Sequence, residues 1–322
     1  MTNSAIIDRC LLAVVCLKNV QNFVFNSFVR IDLSFILLEK ACMNIPLSLL
    51  LIFIMMPLTT TLAQENPPVI STDDPMLKLF EPRQFSDSDG NILHYRLMKP
   101  IGFNPETKYP LVVFLHGAGE RGSDNVAQLK HGMRDFSSEE NRKKYPAYVL
   151  APQCPNDHKW VELDWSAPRS DMPEDPGITM FLLKGLIDAM LETSNVDESR
   201  VYVTGLSMGG YGTWDAIARF ENVFAAAAPV CGGGDPKTVG RFAKLPLWCF
   251  HGEKDPAVPV TRSREMIDAL KAIGASVKYT EYPGVQHDSW TATYKNPEFH
   301  KWLFDQKKPS IDAEPASQVN DQ

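Results

Sequence analysis

The 322-residue sequence carries no basic excess. Its 32 Lys and Arg stand against 39 Asp and Glu, a formal net charge of −7. A dedicated nucleic-acid binder needs a basic face for phosphates, and no Lys/Arg-rich run or zinc-finger spacing supplies one. Cysteine is scarce too. Of six, Cys10, Cys16 and Cys42 fall in the N-terminal segment. Cys154, Cys231 and Cys249 remain, an odd number that permits at most one disulfide. Cys154 and Cys231 each follow an apparent strand end and form the candidate pair; buried free thiols are the alternative. There is no low-complexity block and no internal repeat. The H-E-x-x-H metal helix and the lysine of a P-loop are missing, so neither metal nor cofactor is expected.

Against this background the N-terminal region stands out. Ile45 to Leu58 (IPLSLLLIFIMMPL) is apolar but short for a membrane span. It leads into Thr61 and Ala63, small residues at the −3 and −1 positions of a cut before Gln64. That is the layout of a signal peptide over 43–63, although no basic residue lies between Met43 and the apolar run. On this reading Met43 is the true start, 1–42 is a mis-called extension, and the mature protein is secreted or periplasmic without stable membrane association. The competing reading is an N-terminal membrane anchor. Residues 64–75 read as a polar, proline-bearing linker and 307–322 as a flexible tail. One catalytic domain is expected over 76–306.

Within that domain, Arg83–Phe85 and Ile92–Met98 flank Ser86-Asp87-Ser88-Asp89-Gly90-Asn91, which is hairpin chemistry. Continuous apolar runs then predict buried strands at Tyr109–Leu115, Tyr148–Ala151, Val201–Thr204, Ala225–Val230, Leu245–Phe250 and Val277–Tyr282. Between them, Met180, Leu183, Ile187 and Met190 fall on one helical face, and Met266, Leu270 and Ile273 on another. Alternation of this kind predicts an α/β fold: a mostly parallel sheet with helices on both faces and an antiparallel N-terminal hairpin.

The chemistry concentrates on a few short runs. Gly205-Leu206-Ser207-Met208-Gly209 matches G-x-S-x-G, a pattern that a chain of this length shows by chance about one time in ten. Its setting is more specific, because a strand precedes it and a helix carrying Trp214, Ile217 and Phe220 follows. This is the context of a nucleophile elbow, in which a strained serine projects above the sheet. A serine needs a base, and the base needs an orienting acid. Among seven histidines, His116 and His251 sit in His-Gly pairs that suit turns, His94 and His300 look structural, and His131 and His158 precede the serine. His287 lies on a loop after the last strand and is the candidate base. Asp255 follows the strand ending at Phe250 and is preferred as the acid over Asp235, which also follows a strand. The order Ser207, Asp255, His287 is nucleophile, acid, base. Oxyanion donors are expected from the backbone N–H of Met208 and of Ala118, with Gly119 as fallback, in the small-residue loop after Leu115.

Together these residues resemble the α/β-hydrolase superfamily, and more narrowly exported bacterial phospholipase/carboxylesterase-like ("predicted peptidase") esterases, relatives of polyhydroxybutyrate depolymerases and feruloyl esterases. The resemblance spans about Tyr95 to Leu303. It rests on FLHGAGERGSDN (Phe114–Asn125), APQCP (Ala151–Pro155), VYVTGLSMGGYGTW (Val201–Trp214), PVCGGGD (Pro229–Asp235), FHGEKDPAVPV (Phe250–Val260) and YPGVQHDSW (Tyr282–Trp290). It implies a serine carboxylesterase with a Ser207–Asp255–His287 triad and an oxyanion hole in the 116–119 loop.

The partner expected is a small-molecule or polymer-linked ester, such as an acetylated or feruloylated polysaccharide. The segment Pro155–Pro176 carries Trp160 and Trp165, which either stack against substrate or anchor the loop on the core. Trp290 is expected to wall the site near His287. The alternatives are a serine peptidase using the same three residues and a carbohydrate-binding protein with an inactive hydrolase fold.

Overall fold

Each apolar run bounded by glycine or proline forms a strand. The computed structural model describes residues 70–308, apart from 72, 166–168 and 170. Its strands are β1 (Phe80–Ser86), β2 (Ile92–Met98), β3 (Tyr109–Leu115), β4 (Tyr148–Gln153), β5 (Val196–Leu206), β6 (Ala226–Val230), β7 (Leu247–Gly252) and β8 (Val277–Tyr282). They make one eight-stranded sheet in the order β1-β2-β4-β3-β5-β6-β7-β8. β3 to β8 run parallel, while β2 is antiparallel to both β1 and β4. The expected α/β architecture and its antiparallel hairpin are therefore what the chain adopts.

The helices are α1 (Met133–Phe136), α2 (Glu139–Lys144), α3 (Ile178–Thr193), α4 (Met208–Arg219), α5 (Thr261–Ala272), α6 (Ser289–Lys295) and α7 (Pro297–Asp305). β3, β4, β6 and β7 are buried at every position because both faces of the sheet are covered. On one face, Leu111, Val113 and Leu115 of β3 share a core with Leu183 and Ile187 of α3, Trp214 and Ile217 of α4, and Met266 and Leu270 of α5. Val112 and Phe114 turn to the other face, where Met133 and Phe136 of α1, Tyr294 of α6, and Phe299 and Leu303 of α7 close over them.

β1, β4, β6 and β7 shift from their expected ends by one to three residues, and two larger differences have a physical cause. β5 begins at Val196 rather than Val201, because polar Asp197-Glu198-Ser199-Arg200 hides the strand from an apolar pattern. The Asp197 carboxylate accepts from Ser199 and Arg200 there, and the pairing with β3 shifts register between Tyr109 and Leu111. Ile273, expected on the buried face of its helix, lies just past α5 and is 51% exposed. Gly274, at φ +77, ends that helix.

The expected linker already carries structure at its end. Asp74 caps a 3₁₀ turn over Pro75–Leu79 and pairs with Arg134. The proposed 1–42 extension and 43–63 signal peptide lie outside the described residues, as does the tail beyond 308. All described residues belong to one unit of the chain. Among them, no helix is long and apolar enough to cross a membrane. Cys154, Cys231 and Cys249 are all buried and free, so the candidate disulfide is absent and the thiol alternative holds.

Candidate active site

β5 ends at Leu206 and α4 begins at Met208, which leaves Ser207 alone to turn the chain. It does so at φ 54 and ψ −116, a strained conformation for a residue with a Cβ. The Ser207 N–H donates to the Val230 carbonyl at 3.0 Å, which ties the turn to the end of β6. The flanking glycines give clearance. A Cβ on Gly209 would meet the Leu115 carbonyl oxygen at 1.9 Å, and one on Gly205 would meet it at 2.6 Å.

The other two groups arrive from neighbouring strand ends. Asp255 follows β7 and His287 follows β8, and these strands are adjacent in the sheet. His287 Nδ1–H donates to Asp255 Oδ2 at 2.7 Å, and the Ser207 hydroxyl donates to His287 Nε2 at 3.0 Å. The Asp255 side chain is fully buried, whereas that of His287 is 25% exposed. Burial would raise the Asp255 carboxyl, but hydrogen bonds from His251, His287 and the Val258 N–H outweigh it and hold the group well below the usual carboxylate range. Its other oxygen, Oδ1, accepts from the Ala257 and Val258 N–H groups at 2.8 and 2.9 Å.

Asp235, the rival acid, is committed elsewhere. It caps the 3₁₀ turn Pro236–Phe242 through Lys237 N–H and accepts from Met172 N–H. Asp288 is exposed just before α6.

The 116–119 loop continues β3, which pairs with β5, so it runs beside the serine turn. Met208 stands at the first position of α4, where backbone N–H groups have no partner within the helix. Ala118 is half-buried and starts a 3₁₀ turn, Ala118–Glu120, while Gly119 is exposed. The run from Gly117 to Gly122 also satisfies G-x-G-x-x-G. That pattern cradles a pyrophosphate only where it opens a full helix, and here it opens three residues of 3₁₀ turn.

Several residues that hold this loop were not singled out by motif. His116 is fully buried, and burial pushes its pKa down to about 4. Its Nε2 accepts from Cys154 N–H at 2.9 Å, which leaves Nδ1–H to donate to the Gly117 carbonyl at 2.6 Å. Arg121 donates to the Ala118 and Asn156 carbonyls, and Gln153 donates to the Glu120 carbonyl. Their signal was present in FLHGAGERGSDN and APQCP, but as loop anchors rather than reactive groups.

The tryptophans separate. Trp160 is wholly buried and its indole N–H donates to the His116 carbonyl at 3.0 Å. The expectation that it contacts substrate is therefore corrected: it anchors the loop from beneath. Trp165 is partly buried against the core, with the Lys159 ammonium 4.8 Å from its ring. Trp290 meets the His287 ring edge to face, with centroids 5.2 Å apart, and meets His131 at the same separation.

Among the described residues, Cys231, Asp255 and His287 bring possible metal-ligand atoms within 4.8 Å of one another. Burial raises the Cys231 thiol, which opposes the thiolate a metal requires. Asp255 and His287 are already bonded to each other.

Residues 179–307 match the Dienelactone hydrolase family. The chain is 31% identical over 150 residues to poly(3-hydroxyalkanoate) depolymerase C of Paucimonas lemoignei, covering 46% of this chain and 33% of that protein. It is 25% identical over 231 residues to feruloyl esterase B of Talaromyces stipitatus, covering 71% of this chain and 56% of that one. A solved thermostable esterase superposes with a TM-score of 0.68 at 44% identity, over 72% of this chain and 64% of the other. The chain thus spans a third to about two thirds of the length of these relatives. Its fold is that of the α/β-hydrolases.

Proposed function

We propose that this chain is an exported serine carboxylesterase that works through an acyl-enzyme. One observation carries the reading: Ser207, His287 and Asp255 come from three separate loops and form an unbroken hydrogen-bonded chain of 3.0 and 2.7 Å. Ser207 Oγ attacks the ester carbonyl while His287 Nε2 takes its proton. Asp255 keeps the imidazole in the Nδ1–H tautomer and stabilises the imidazolium. The N–H groups of Met208 and Ala118 receive the developing oxyanion. Collapse of the tetrahedral intermediate expels the alcohol, to which His287 returns the proton. Water, activated by the same histidine, then releases the acid and restores Ser207.

The substrate class proposed is a small or polymer-linked carboxylic ester, including acetylated or feruloylated polysaccharide. The depolymerase and feruloyl esterase among the relatives support that class. Export rests on the apolar run Ile45–Leu58 and the small residues before Gln64. The test is hydrolysis of p-nitrophenyl acetate together with labelling by a fluorophosphonate. The parent is expected to do both and Ser207→Ala neither. Equal labelling of Ser207→Ala and the parent would remove the serine from the mechanism.

A further inference from the structure

Asp255 Oδ2 faces two histidines. His287 lies 2.7 Å away, and His251, near the end of β7, lies 3.3 Å away through its Nε2. His251 is fully buried. The same Nε2 is 2.9 Å from the Val258 carbonyl oxygen, so both of its neighbours are acceptors and it must carry a proton. On the other side of the ring, Nδ1 lies 2.7 Å from Ser263 Oγ, and that hydroxyl is also 3.1 Å from the Gly232 carbonyl. A hydroxyl can meet Nδ1 as donor or as acceptor, so Nε2 remains a donor whichever charge the ring carries.

We infer that His251 is a positioning residue for the hydrolytic reaction: its Nε2–H, shared between the Val258 carbonyl and Asp255 Oδ2, fixes the carboxylate that aligns His287. The two backbone donors hold Oδ1, and without His251 only His287 among the described residues, the group to be aligned, would hold Oδ2. The Val258 bond also closes the 255–258 turn that carries the carboxylate. Ser263, on α5, keeps the ring from rotating out of this arrangement. His251 touches no substrate and acts entirely through Asp255. This inference rests on the proposed serine–histidine–aspartate mechanism.

The test uses the full chain with p-nitrophenyl acetate and compares His251→Phe, His251→Gln and Ser207→Ala. His251→Phe is expected to lower kcat by about 10- to 100-fold at unchanged KM, the range for losing a hydrogen bond to a charged group. His251→Gln keeps an N–H donor and is expected to recover most of that loss. A His251→Phe variant with the parent kcat, or a His251→Gln variant as slow as His251→Phe, overturns the inference. Ring ¹⁵N shifts of the parent provide a reading that needs no variant to fold: a protonated Nε2 on His251 supports the inference and an unprotonated one overturns it. Retained turnover in Ser207→Ala would instead strike the mechanism beneath it, so the two failures are distinct.

Discussion

The carbonyl oxygen of Leu115, at the end of β3, lies 1.9 Å from where a Cβ on Gly209 would stand. The first turn of α4 is therefore pressed against the strand that leads into the 116–119 loop, and no flexible side chain can yield at that contact. Gly209→Ala is expected to destabilise the fold by about 3 kcal/mol or more, since backbone must move. The urea midpoint of the variant measures this; an unchanged midpoint would contradict the close approach.

Replacement of Asp255 by Asn leaves the volume of the site nearly the same but removes the charge that faces His287 Nδ1. Asp255→Asn is expected to lower kcat on the order of 10⁴-fold, because the amide favours the wrong imidazole tautomer. Asp235→Asn, at the rival position, is expected to keep kcat within a few fold. Steady-state kinetics on p-nitrophenyl acetate compare the two.

Trp160 and Trp290 are expected to behave differently. Trp160→Phe loses the N–H donated to the His116 carbonyl, which costs about 1 to 3 kcal/mol of stability without changing acyl preference. Trp290→Ala removes the ring packed on His287 and is expected to raise KM about fivefold and alter the order of preferred acyl lengths. A panel of p-nitrophenyl esters read alongside thermal midpoints separates them.

His116 gives a pH dependence with a definite sign. Its ring titrates at 6.5 in the unfolded chain and about 4 in the folded one. Between those values the unfolded state binds the proton and the folded state does not, so the stabilisation is complete above 6.5 and lost as pH falls towards 4. The loss amounts to about 3 kcal/mol. Urea midpoints from about pH 7 to about pH 4 are expected to fall more steeply in the parent than in His116→Asn. Parallel slopes would show that the buried ring does not contribute.

The strands, their alternation with helices and the chemical order Ser207, Asp255, His287 were legible in the chain itself. Local forces set those features: apolar runs bury, glycine permits a sharp turn, and a serine between a strand and a helix is exposed by the turn it makes. Three things required the tertiary structure. Asp255 and Asp235 both follow strands, and only the packing shows that one faces His287 while the other caps a turn and holds Met172. Trp160 and Trp290 are alike as candidate substrate contacts in the sequence, but one is buried beneath His116 and the other lies against His287. His251 reads as a turn residue until β7 places it against Asp255. Sequence determines which groups are available; long-range packing decides which of their polar atoms meet, because each buried donor and acceptor must find its partner across the sheet.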